Sequence, residues 1–430
     1  MRLRIGACMT ETDAGIAPGS AVLLPEPSRR VVISALGITQ ILAWGTSYYL
    51  PAVLAKPISA DTGWPLTWVV GGLSLGLVAA GLVSPRIGRA IHAVGGRPVL
   101  AASSVLLAIG LAILALASNI WIFLAAWLLI GLGMGAGLYD AAFATLGRAY
   151  GSTARSAITT LTLWGGFAST VCWPLSALLV EHVGWRGACW VYAGIQIALG
   201  LPIHLLLLPR PPPPDEAASL SPSSAARPIA GVLPVEAQPR AFLLIAIVVT
   251  LGAATASAIS VHLLTVLQAR GFDLAMAVAL GALIGPSQVG ARIVESAFGR
   301  HYHPIWTMMA CTLLLALGIG LLLVGFPVVA IALAIYGAGN GLTSVSKGTV
   351  PLALFGPGRY AVLMGRLALP GLLAQALAPS VGALLIEFGG ANLLLAALFV
   401  TITFNVAMVG VLWAYAKKAG RHPHAPPAAA

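Results

Sequence analysis

The sequence predicts an all-α membrane protein with twelve transmembrane helices in two parallel six-helix repeats, and three observations carry that prediction. First, only 8% of the 430 residues are charged while 59% are hydrophobic, against about 25% charged in soluble domains. A water-facing surface cannot be built from so few charges, so lipid is the solvent for most of the chain. Second, the apolar residues gather in stretches of about 20 residues or more, enough to cross a hydrocarbon layer of about 30 Å. Third, GLGMGAGLYDAAFATL at 131–146 is echoed by GAGNGLTSVSKGTVPL at 337–352, an offset of 206 residues that also places Glu181 on Glu387. Six crossings return the chain to its starting side, so the two halves run in the same direction.

In chain order, residues 1–30 are polar, contain Gly and Pro, and hold no apolar core of signal-peptide length; they read as a disordered cytoplasmic tail. Spans follow at about 31–55, 66–90, 98–117, 121–146, 156–180 and 187–208, giving an N-terminal six-helix bundle over 31–208. The Pro-, Ser- and Ala-rich segment 209–240 can neither continue a helix nor build a core, and reads as a cytoplasmic linker. Further spans at about 241–268, 275–298, 304–324, 327–350, 361–385 and 390–415 make a C-terminal bundle over 241–415. Residues 416–430 are a short basic tail.

Charge sets the expected orientation. With the N-terminus inside, fifteen Lys and Arg residues fall in or beside inner loops, and only Lys56, Arg186 and Arg270 lie on the outer side. The positive-inside rule then places both termini in the cytoplasm, in the inner (plasma) membrane of the cell. Trp64, Trp68, Trp121 and Trp185 fall near the outer interface, as an aromatic belt would. The net charge of +11 does not imply nucleic acid, because the basic residues alternate with apolar segments instead of forming one face. Cys8, Cys172, Cys189 and Cys311 lack metal-like spacing and read as small apolar fillers, with Cys172 and Cys189 as candidate neighbours. No catalytic triad, phosphate loop or metal cluster has usable spacing, so neither an enzyme nor a cofactor is expected.

The stretch from Trp44 to Arg97 shows the plan in miniature. An apolar segment ends in aromatics and Lys56, the turn Asp61-Thr62-Gly63-Trp64-Pro65 follows, and a Gly-rich apolar segment runs into a basic turn. That turn reads Gly88-Arg-Ala-Ile-His92-Ala-Val-Gly95-Gly96-Arg97, with a weaker echo in Glu295-Ser-Ala-Phe-Gly299-Arg300. With the span count, the central linker and the repeat, this resembles the major facilitator superfamily, whose inner turn reads roughly G-x-x-x-D-R-x-G-R-R. His92 and Ala93 stand where that pattern has the acid and the first Arg. The resemblance implies two bundles that alternate access around a central substrate, with Gly88, Gly95, Gly96, Arg97, Glu295 and Arg300 at an inner gate. A finer resemblance, to the monocarboxylate and oxalate:formate-type branch, rests on Tyr48-Tyr49 followed by Lys56 and on Gly63-Trp64. It implies a small organic anion as cargo and Arg292 as the span-eight Arg that meets its carboxylate. Gln288 stands where the monocarboxylate carriers often have an Asp.

A charge inside a span costs about 2.5–3.5 kcal/mol at the helix centre on insertion scales, so each needs a reason. Arg292 either holds a carboxylate bidentately or pairs with Glu295, three residues on along the same face. Lys56 either attracts substrate or snorkels at the interface. Asp140, the deepest acid of the first half, is either a proton carrier or a pin for Arg148 or Arg155. Lys347 and Arg366 read as gate or helix-packing charges. His262 either meets substrate or a proton, or is a neutral ring capped by a carbonyl. Gln40, Tyr48 and Tyr49 either line the cavity or pack between spans. Gly131, Gly133, Gly135 and Gly137 contain small-xxx-small pairs that let helices approach closely. The expectation is a secondary transporter for a small organic anion, with a proton as candidate co-substrate, acting as a monomer in the bilayer. Efflux of hydrophobic or toxic compounds and a transporter-shaped sensor are the alternatives.

Overall fold

A computed structural model describes residues 27–209 and 232–419. Residues 1–26 of the expected tail over 1–30, most of the linker (210–231) and residues 420–430 lie outside the described residues, and α1 begins within the last residues of that expected tail. Every regular element described is helical: α1 (Arg29–Gly45), α2 (Leu50–Thr62), α3 (Leu66–Val94), α4 (Gly96–Ala115), α5 (Ile120–Gly137), α6 (Tyr139–Tyr150), α7 (Ala154–Gly166), α8 (Ala168–Ile195), α9 (Leu201–Leu207), α10 (Gln238–Gln268), α11 (Leu274–Gly281), α12 (Ile284–Phe298), α13 (Pro304–Leu323), α14 (Val329–Phe355) and α15 (Tyr360–Ala419).

These elements make nine apolar helical stretches, among the described residues, that are long enough to cross a membrane. Two are far too long for one crossing: Ile120–Leu207, 88 residues, and Tyr360–Ala419, 60 residues. Gly184 (φ 69°) divides α8, and Gly389–Gly390 (φ 70° at Gly390) divides α15. Only glycine enters this left-handed region without steric cost, so the reversals fall there. With these two reversals and the turn at Gly151 (φ 55°) between α6 and α7, the nine stretches give the twelve crossings of the expected fold.

Several crossings are broken helices, and the breaks have local causes. The first crossing continues past 55, as α1 and α2, with a break at Thr46–Tyr49. Pro51 stands at the start of α2, where its missing N–H forfeits nothing, whereas inside a continuous helix it would clash with the preceding turn. The fourth crossing breaks at Leu138, which is extended (φ −78°, ψ −171°). That break releases the Gly137 carbonyl, which accepts from Gln40 Nε2 at 2.6 Å, and puts Asp140 in the first turn of α6. A helix N-terminus favours a carboxylate there.

The glycines of the repeat act in register. A Cβ on Gly131 would collide with Gly76 of α3, and one on Gly135 would lie 2.7 Å from Val83 of α3. Gly133 and Gly137 instead face Leu107 and Ser103 of α4. In the second half Gly337 and Gly341 face Ile284 and Gln288 of α12, while Gly339 faces Leu315 of α13. Two interleaved small-xxx-small ridges thus seat two neighbours each time.

The face carrying the ends of the linker is fixed by Leu233 N–H donating to the Leu354 carbonyl at 2.8 Å and by Tyr415 Oη donating to Ala237 O at 3.3 Å. Here one apolar core runs through both halves, including Val32, Phe143, Ile158, Phe355, Tyr360 and Leu412. Toward the far face the core divides. One part belongs to the first half, reached only by Ala376 and Leu372 of α15, and the other is built from α10, α11, α13, α14 and α15, with Ile284 of α12 at its edge. The halves are therefore packed together at the linker face and separately beyond mid-depth.

Candidate functional site

A cavity of about 80 Å³ lies between the halves. Trp44, Tyr139, Asp140 and Phe143 line it from the first half, and Ser344, Lys347, Leu372 and Gln375 from the second. Its charged groups form one ion pair: Lys347 Nζ donates to Asp140 Oδ2 at 2.9 Å and lies 2.7 Å from Oδ1, which has no other donor among the described residues. Asp140 therefore pairs with neither Arg148 nor Arg155. Those residues lie toward the linker end of the first half, whereas the break at Leu138 holds Asp140 against α14. The aromatic wall is continuous: Trp44 meets Tyr48, Tyr49 and Tyr139 at ring-centroid distances of 5.3, 5.9 and 5.1 Å, and Tyr139 stacks on Phe143 at 5.1 Å. Tyr48 accepts from Gln375 Nε2 across the halves at 3.1 Å.

Arg292 stands beside this wall, 6% exposed. Its Nε donates to the Gly341 carbonyl at 3.1 Å and its Nη1 to the Thr162 carbonyl of the other half at 3.0 Å. The expected alternative, a pair with Glu295, does not form. Glu295 instead accepts from Tyr302 Oη at 2.6 Å and Thr307 Oγ1 at 2.8 Å, and lies 3.7 Å from Arg155 Nη2. Among the described residues Arg292 is thus a buried cation held by carbonyl dipoles alone. Gly166 makes room for it, since a Cβ there would sit 2.6 Å from Nη1. Tyr139 Oη, 3.4 Å from the same Thr162 carbonyl, ties Arg292 to the wall of the cavity.

At the linker face the halves meet backbone to backbone. A Cβ on Gly88 of α3 would lie 2.5 Å from the Ala361 carbonyl of α15, and Gly365 packs reciprocally on Ser84 and Gly88. Arg155 crosses from the first half to the carbonyls of Tyr302 (2.8 Å) and Gly299 as well as to Glu295. Burial pushes the Tyr302 hydroxyl up to about 12, reinforced by its bond to the Glu295 carboxylate, so it remains a donor at neutral pH. Gly95 (φ 84°) turns the chain between α3 and α4, and Gly96 sits against Thr145. Arg97 is half-buried and Arg300 exposed, and among the described residues neither has a side-chain bond. The Arg that clasps the acid is Arg155.

The other candidates are more scattered. Lys56 is exposed, seven residues beyond Tyr49 and so on the same helical face. The ring of His262 is bonded through Nε2 to the Pro379 carbonyl at 2.8 Å. Of the four belt tryptophans, Trp68 and Trp121 are exposed, but Trp185 is buried and donates to Asp61 at 2.9 Å, and Trp64 packs on Phe123 at 5.5 Å. Cys172, Cys189 and Cys311 are free and buried. The sequence reading missed Trp44, Tyr139, Thr162 and Gln375. Only Tyr139, adjacent to Asp140, carried a local signal.

Two helical repeats packed around a cavity that holds an ion pair define a multi-pass membrane transporter. The family model of the Major Facilitator Superfamily matches residues 35–302, and the chain belongs to that superfamily. It is a secondary transporter and not an enzyme. A search of curated proteins gives no match. Among solved structures, the human organic anion transporter MFSD10 (TETRAN) has a TM-score of 0.68 at 18% identity, covering 89% of this chain and 100% of that one. The major facilitator transporter FucP in the outward conformation gives 0.67 at 15% identity, with 89% and 99% covered. A structure of the E. coli fucose:proton symporter FucP gives 0.62 at 15% identity with the same coverage. At these identities the likeness is one of fold.

Proposed function

We propose that this transporter moves a small organic anion of the monocarboxylate type, coupled to protons, with the linker face in the cytoplasm. The observation that carries the reading is Arg292: a guanidinium buried where the halves meet, held by two carbonyls and, among the described residues, paired with no acid. An Arg in that setting has a fork matched to a carboxylate, and a charge that an anion would neutralise. Tyr48 and Tyr49 flank the approach. Lys56, two turns further toward the far face, draws anions in, while His262 contributes from α10 of the second half. Gly88, Gly95, Gly96 and Arg97, together with the Arg155–Glu295 clasp and Arg300, form the inner gate. The excess of basic residues near the linker face supports a cytoplasmic placement. On that placement the described state is closed inside, and substrate enters from outside. Asp140 is the proton carrier. One fold neighbour is itself an organic anion transporter.

The test is uptake of labelled formate, acetate, lactate, oxalate and benzoate into proteoliposomes, with and without a pH gradient. Accumulation that follows the gradient is the expected result. Dye or drug efflux without carboxylate flux would place the protein among exporters.

A further inference from the structure

Lys347 has three N–H donors but makes one hydrogen bond, to Asp140. Among the described residues Trp44 Nε1, on the same cavity, is buried with no acceptor, and Asp140 Oδ1 has no donor besides Lys347 Nζ at 2.7 Å. The cavity therefore offers Trp44 Nε1 and the N–H capacity that Lys347 does not spend on Asp140, beside a carboxylate that occupies only part of its cation. At about 80 Å³ it is smaller than the roughly 150 Å³ that admits benzene, which fits an acid of up to about three carbons.

We propose that Asp140–Lys347 is a counter-ion exchanger: the cargo carboxylate takes Lys347 from Asp140, and Asp140 takes a proton in its place. The proposal rests on the organic-anion reading. A carboxylate left in this enclosed site without its cation would be strongly disfavoured, so loss of Lys347 and gain of a proton go together. The balance is simple. One O–H bond forms on Asp140 with a proton from the open face, and Lys347 keeps its own protons and exchanges one carboxylate partner for another. One anion and one proton enter per cycle without net charge. Lys347 from α14 and Tyr360 from α15, whose hydroxyl donates to the Gly348 carbonyl at 2.7 Å, are the titratable groups facing Asp140, with Tyr139 on its own helix. Among the described residues no charged side chain of α3, α4, α5 or α7 bonds to it. Because the pair spans the two halves, breaking it also removes a tie that holds them together, which links loading to opening.

The test is calorimetric titration of the purified full-length protein with formate, acetate and propionate, in buffers of different ionisation enthalpy, to count protons. The wild type should take up one proton per carboxylate, and its affinity should fall with rising pH by up to about tenfold per unit. Asp140→Asn should bind carboxylate with no proton uptake and no pH dependence. Lys347→Gln should lose most carboxylate affinity. Carboxylate binding without proton uptake in the wild type, or uptake that persists in Asp140→Asn, overturns the exchanger and leaves the organic-anion reading standing. If the wild type binds none of the three acids, that reading fails and the exchanger with it.

Discussion

Arg292 reaches carbonyls on both halves, and the geometry of its side chain matters as much as its charge. Nε and Nη1 point to Gly341 and Thr162, a divergent pair that a planar fork can serve and a single ammonium cannot. Arg292→Lys is therefore expected to lose carboxylate binding nearly as badly as Arg292→Ala. Removing a charged hydrogen-bond partner from a desolvated site costs about 2–5 kcal/mol, roughly 30-fold to several-thousand-fold in affinity. The readout is thermal protection of purified variants across a carboxylate series, and wild-type protection of Arg292→Lys would refute the role. The sequence made Arg292 and Asp140 visible because charges within apolar runs are costly and rare. It hid their partners. Lys347 is 207 residues from Asp140 and Thr162 is 130 from Arg292, and no local period reports such distances.

At the scale of elements, small residues were legible and breaks less so. The spacing of Gly131 to Gly137 signals close packing by itself, and the structure seats those residues on α3 and α4. The break at Leu138 has only Gly137 as a local sign, and the second half has no counterpart, since α14 is continuous from Val329 to Phe355. That departure from the repeat is what aims Tyr139 and Asp140 at the cavity. The α3–α15 crossing gives a direct handle on gating. Gly365 packs against Ser84 and Gly88 with no room for a side chain. Gly365→Val is expected to hold the linker face open and slow transport. Ile158, fully buried against Gly348, supplies the reporter. In a background without native cysteines, Ile158→Cys should resist thiol reagents applied from the linker side and become reactive when Gly365→Val is added. Continued protection would show that this crossing does not close the gate.

For the whole molecule, the division of the core and the distribution of charge make one joint claim about direction. Apolar packing runs through both halves at the linker face and separates toward the far face. The Gly88–Gly365 contact, the Arg155 clasp and the Arg292–Thr162 bond also lie between the linker face and mid-depth. If basic loops stay in the cytoplasm, the open side of this state is the outside. Reporter positions can be chosen from the structure. Asn119 caps α5 by accepting from Trp121 and Ile122, and losing such a cap costs about 0.5–2 kcal/mol, so its exposed neighbour Ser118 is the better site. Gly325 has φ 75°, which a cysteine would strain, so the exposed Val324 replaces it. Gly358 is exposed, with open space around a Cβ, and marks the linker face. Cysteines at Ser118 and Val324 should react with an impermeant reagent on intact cells, and one at Gly358 only after permeabilisation. Reaction of Gly358→Cys on intact cells, with Ser118→Cys and Val324→Cys protected, would invert the protein in the membrane. The closed face would then be the external one, and Lys56 would lie on the cytoplasmic side, where it could not gather anions from outside.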